Sequence, residues 1–445
     1  MRLVKLLIFL FVFVLLGTLN AGAKGLFGAG EFYLNNGMRV IVIENHRVPI
    51  VKHMLWYKNG ASAEKLGKGG IAHLLEHLMF RGTYKVSGDS FNQIMEENGA
   101  ESNAFTGMDV TVYHQLLDIS RLELAMFLEA DRMKNLKIDD DNFAKEQAIV
   151  FEERKQMVDN NPLARFGEVI NRTLWQNHSY ARPIIGTDSE ILALTSKDAM
   201  DFYQQFYAPN NAVLVLSGDI NLKEAKELAN KYYGKLKKTQ IKKIETVSLN
   251  NAFRAEVEVA EKEVNSVRII KRYATASLNK DSNYVYPLQV LASYMGGGET
   301  SKLFKKLVLQ DKKALAVAVN YNPVTQSYGN FQISLTPAEG VSISEAKEML
   351  SKAWDEALTE LNVEELEKVK NKMLAGLIYL RDNPEDAAYI VGSMASVGAS
   401  LEEIELQEDK IKKVRKQQVL DVANLLIDNT PQVLGILKPE KKNNG

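Results

Sequence analysis

The chain has 445 residues, 46% hydrophobic and 25% charged, with 55 basic and 56 acidic side chains, six histidines and no cysteine. This balance excludes a disordered chain, and a formal charge of −1 with no glycine-rich phosphate loop after a strand argues against nucleic-acid binding. Without disulfides a core must carry the fold, and this length exceeds what one core normally organises, so two domains of about 200 residues are expected.

Arg2 and Lys5 precede an apolar run over 6–16 and the small residues Ala21-Gly22-Ala23, which reads as a secretory signal peptide over 1–23. The run is shorter than the about 20 residues of a membrane span, so membrane contact is expected only transiently. Apolar patterning then predicts strands over 38–44 and 50–58, a helix over 69–80 closing at Gly82, a strand over 110–117, and helices over 121–135 and 139–157. A helix over 196–207 stops before Pro209, and 212–217 is a buried strand. Residues 235–243 carry five lysines and little periodicity, as a solvated linker would. Beyond it, paired strands are expected over 256–276, helices over 286–294 and 301–310, strands over 315–322 and 330–335, and long helices over 343–361 and 363–380.

The stretch His73-Leu74-Leu75-Glu76-His77 sets two imidazoles one helical turn apart, so both can aim at one cation about 2.0–2.1 Å away. Glu76 lies on the flank of that face, where a carboxylate reaches water without being a ligand. The order is the inverted zincin signature. The competing reading is an ordinary amphipathic helix with two satisfied histidines. Catalytic zinc usually takes a third protein ligand, and the helix over 139–157 offers one. Its Glu146 and Glu153 are two turns apart and share a face, whereas Glu152 is rotated away. One of the pair can ligate metal while the other holds an imidazole, and spacing does not say which.

Four segments in order carry a family resemblance: HLLEHLMFRGT (73–83), NAFTGMDVTVY (103–113), EQAIVFEE (146–153) and FYQQFYAPNNAVLVLSGDI (202–220). With them the chain resembles the pitrilysin/insulinase family of zinc peptidases, in particular a bacterial branch similar to mitochondrial processing peptidase. The resemblance implies an α+β fold of two duplicated domains forming a clamshell around a chamber: a zinc domain over 24–234, a linker over 235–252 and a second domain over 253–445 without the motif. It implies one zinc per chain on His73, His77 and Glu153, with Glu76 as catalytic base and Glu146 supporting a ligand. Asn103, Ala104, Phe105 and Thr106 match the family's edge strand beside the metal, where an extended peptide is held by strand addition.

The chain departs from the family after the glycine turn at 295–304. Active members carry an Arg and a Tyr there that hold substrate; here Val308 or Gln310 stands at the first position and Val317 at the second, and none supplies the lost donors. The expected protein is therefore a periplasmic zinc metalloendopeptidase acting on peptides or unfolded segments, paired with a paralogue that carries the Arg and Tyr, or else with a second copy of itself. The alternative is a non-enzymatic assembly or scaffold subunit of the same fold.

Overall fold

The computed structural model describes residues 25–88, 90–242 and 247–440. The signal-peptide reading of 1–23 lies outside them. Among the described residues no helix is long and apolar enough to cross a membrane.

The first half is built on β1 (Gly30–Tyr33), β2 (Arg39–Glu44), β3 (Ile50–Tyr57), β4 (Glu101–Thr106), β5 (Thr111–Asp118) and β6 (Ala212–Gly218), in the order β1-β2-β6-β3-β5-β4. β6 runs parallel to β2 and antiparallel to β3. The second half repeats this with β7 (Arg254–Glu261), β8 (Arg268–Thr275), β9 (Ala314–Asn322), β10 (Gly329–Pro337) and β11 (Gln432–Pro439), in the order β7-β11-β8-β10-β9. Here too the last strand slots between two earlier ones, parallel to β7 and antiparallel to β8.

Strand periodicity explains why β2, β3 and β6 are apolar almost throughout: successive side chains enter two different cores. Val40, Val42, Leu55, Tyr57, Leu214 and Leu216 join the first half's own helices. Ile41, Ile43, Met54, Trp56, Val213 and Val215 pack instead against Ala387, Ala388, Val391 and Ala395 of helix Pro384–Ser396, which belongs to the second half. The reverse exchange is made by helix Pro162–Trp175, whose Phe166, Ile170 and Leu174 pack on Ala274, Val433 and Leu437 of the second sheet.

Each exchanged helix approaches its sheet where a glycine removes the side chain. A Cβ on Gly392 would run into the Trp56 indole, and one on Gly435 of β11 would meet Ile170 and Phe166.

Several expectations shift at their edges. The helix over 139–157 is α-helical at Asp140–Arg154 and continues as a π-helical turn at Lys155–Asp159. The segment 301–310 is largely a π-helical turn, Phe304–Gln310. Residues 237–242 hold neither helix nor strand, although Ile241 packs on the first core.

Candidate metal centre

The helix Ile71–Leu78 starts at Gly70, whose φ of 86° suits a residue without a side chain. Its N-cap offers no side-chain bond, so its first amides are satisfied from a distance: Gly70 and Ala72 donate to the Glu64 carboxylate at 3.1 and 3.0 Å. Burial outweighs both amides and pushes Glu64 up to about 8. Ile71, Ala72, Leu74, Leu75 and Leu78 bury in the first core, which leaves His73, Glu76 and His77 half-buried on the remaining stripe.

Helix Asp140–Arg154 packs against this stripe, capped by Asp139, which accepts from the Asn142 amide at 2.8 Å. It anchors through Phe143 and Val150, and Glu152 is turned out to solvent. Glu153 Oε2 lies 3.7 Å from His73 Nε2 and 3.6 Å from His77 Nε2. One donor atom from each of these three side chains falls within 4.8 Å of the others, and among the described residues no other three His, Asp or Glu side chains converge in this way.

Glu146 takes a different place. It is buried, with Oε2 3.1 Å from His77 Nδ1 and Oε1 accepting from Arg81 Nε at 2.5 Å. Its bond to Nδ1 orients the imidazole and leaves Nε2 facing Glu153. Burial raises the Glu146 carboxyl, but His77 and Arg81 outweigh it and hold the group below its ordinary range. For His77 burial pulls downward and the surrounding carboxylates, Glu146 first, win, so it is raised. His73 is pushed down to about 4 by burial and by His77, which keeps it neutral as a metal ligand must be.

These residues fit a zinc ion. Two imidazole nitrogens and one carboxylate oxygen are an ordinary catalytic donor set, and the His73 and His77 rings stand 4.9 Å apart, edge to face. His73 Nδ1 is buried without a partner.

Glu76 stands outside the triad. Its Oε2 accepts from Thr106 Oγ1 at 2.6 Å, while burial raises its carboxyl. Thr106 ends β4, which pairs with β5 alone and forms the edge of the sheet. Asn103, Ala104, Phe105 and Thr106 therefore lie on an edge strand that ends against Glu76, and among the described residues no strand is bonded to the other side of β4. Ala104 packs towards the core beneath the histidine helix. Phe105 faces the opposite way, with ring centroids 5.8 Å from Trp56 and 6.0 Å from Tyr389 of the exchanged helix.

In the second half, Val308 packs partly buried on its core, Gln310 is exposed at the end of its turn, and Val317 is buried in β9. Sequence reasoning did not foresee Arg81 bonding Glu146, Thr106 bonding Glu76, Glu64 capping the histidine helix, or Tyr389 beside the edge strand. Arg81 and Thr106 stood inside the quoted motifs. Nothing local marked Glu64 or Tyr389.

A family model described as "Insulinase (Peptidase family M16)" matches residues 39–188, and one described as "Peptidase M16 inactive domain" matches 193–373. The chain is 28% identical over 415 residues to a Helicobacter pylori protein named "Zinc protease PqqE", covering 91% of this chain and 92% of that one. It is 29% identical over 201 residues to the mitochondrial-processing peptidase subunit beta of Rattus norvegicus, covering 45% of this chain and 41% of the rat protein. Among solved structures, a protease from Helicobacter pylori superposes with a TM-score of 0.83 at 25% identity, over 92% of this chain and 99% of that one.

Proposed function

The chain belongs to the insulinase family of peptidases, family M16, and from that membership we propose that it is a zinc-dependent endopeptidase cutting extended peptides or unfolded polypeptide segments. The carrying observation is the convergence of His73, His77 and Glu153 beside a base, Glu76, that touches the end of an open sheet edge. Its relatives are named zinc proteases.

One zinc per chain, held by those three side chains, would polarise the scissile carbonyl and acidify water. Glu146 fixes the His77 ring. Glu76 takes the proton of the attacking water and passes it to the leaving amine, and Thr106 holds the carboxylate that does so. The open edge of β4 supplies main-chain donors and acceptors along Asn103, Ala104, Phe105 and Thr106, which binds a peptide without demanding a particular sequence.

The residues that would grip substrate from the opposite side are missing at Val308, Gln310 and Val317. The proposal therefore includes a partner, a paralogous chain that brings an Arg and a Tyr to this half-site. The charged and apolar pattern over 1–23 supports export and a periplasmic location.

The test is zinc content of the purified chain by elemental analysis, with cleavage of a quenched unstructured peptide measured alone and with co-expressed paralogues. About one zinc per chain, feeble cleavage alone and strong cleavage with a paralogue are expected. Full turnover by the lone chain overturns the partner, and absence of both zinc and cleavage in every combination overturns the peptidase in favour of an assembly subunit.

A further inference from the structure

β8 runs through the middle of the second sheet, and its Ile269 and Tyr273 are buried in the core on the face covered by helices Ile343–Glu360 and Lys416–Asp428. Lys271 stands between them on that same face, paired across the sheet with Ile333 on one side and Leu434 on the other. Period-two alternation asks for an apolar side chain here, and a lysine in such a place is normally paired with a carboxylate. Among the described residues none pairs with it; its ammonium lies 5.3 Å from the Tyr273 ring centroid.

A cavity of about 200 Å³ opens beside it, walled by Ile269, Tyr273, Ile333 and Trp354. The Trp354 indole N–H is buried and finds no acceptor. Lys347, the other cation at the cavity, is already bonded to Glu256 at 2.6 Å, and Asp355 sits at the exposed mouth. Burial, with the Arg254 charge behind it, lowers the Lys271 ammonium. An unmatched cation therefore lines a small, mostly apolar cavity, and leaving it unmatched is costly.

We propose that this cavity binds a carboxylate carrying an apolar tail, with the charge against Lys271 and the tail against Ile269, Tyr273 and Ile333. A fatty acid and the C-terminal residue of an apolar peptide share that chemistry. The site lies in the half without the metal donors, so it stands or falls independently of the peptidase reading.

Calorimetric titration of the full chain with octanoate, N-acetyl-leucine and the uncharged 1-octanol tests it. Saturable binding of at least one of the acids is expected, with octanoate binding about tenfold or more tighter than octanol. The tighter of the two acids names the source. Lys271→Met should remove that tenfold preference while leaving octanol unchanged. Equal affinity for octanoate and octanol in the native chain shows that Lys271 merely extends its stem along apolar surface to reach water, and overturns the proposal. Failure of both acids to saturate overturns it as well. If Lys271→Met does not fold, the octanoate-to-octanol ratio of the native chain decides.

Discussion

The helix after β3 and the helix after β8 occupy the same place in two sheets whose strand orders match apart from the extra edge strand β1, yet they do different work. The first presents His73, Glu76 and His77 on a half-buried stripe opposite Glu146 and Glu153. The second, Val285–Gly296, buries Val285, Leu288, Leu291 and Met295 and carries no histidine. A fold can thus keep its packing while the chemistry is present or absent, because the donors sit on a stripe the core does not need. The second half is still indispensable to the first: its helix Pro384–Ser396 covers the metal-side sheet and brings Tyr389 to Phe105. The central strands differ in the same spirit. His53 on the helix-covered face of β3 has both ring nitrogens bonded, to Gln115 and Tyr233 at 2.9 Å, whereas Lys271 on β8 has no such partner.

The largest break should come from removing a donor. Glu153→Gln is expected to abolish stoichiometric zinc and with it all hydrolysis, making the first half as inert as the second. Glu146→Gln, which disturbs only the orientation of His77, should weaken zinc by about 10–100-fold. Competition with a chelator ranks the two, and the reverse ranking would exchange their roles.

Glu76→Gln should leave zinc content unchanged and lower kcat by about 10²–10⁴, the usual worth of a positioned base. Zinc lost in this variant, or cleavage undiminished, would take Glu76 out of that role.

A smaller effect is expected at the strand that feeds the base. Thr106→Val keeps the shape but removes the donor to Glu76, and kcat should fall on the order of tenfold, as for one charge-assisted hydrogen bond, with KM little changed. Thr106→Ser should restore most of it. A rise in KM alone would mean that Thr106 touches substrate and does not orient the carboxylate.

The exchange of helices is probed by stability. Gly392→Ala forces a methyl against the fully buried Trp56 indole and should cost about 1–3 kcal/mol, read as a lower thermal midpoint. Gly435→Ala meets Ile170 and Phe166, both fully buried, and should cost a similar amount. Equal and negligible shifts in both would show that the halves separate more easily than their shared cores imply.

By itself the sequence determined the histidine helix, the acidic helix facing it, the strands β2, β3, β5 and β6, the two imidazole donors and the pair of glutamates from which the third donor comes. These are local properties: the i, i+4 spacing, the seven-residue repeat of Glu146 and Glu153, and apolar runs bounded by turns. Only the tertiary structure decided which glutamate meets which nitrogen, because both carboxylates share one face and the approach of the second helix sorts them, Glu146 to Nδ1 and Glu153 to the two Nε2 atoms. It also decided the place of β11, which patterning left unassigned along with everything after residue 380, since a strand inserted between two distant ones is fixed by pairing across more than a hundred residues. Helix Pro162–Trp175 was missed for a related reason: its apolar face answers to the sheet of the other half, and no stretch of sequence near it reveals that partner.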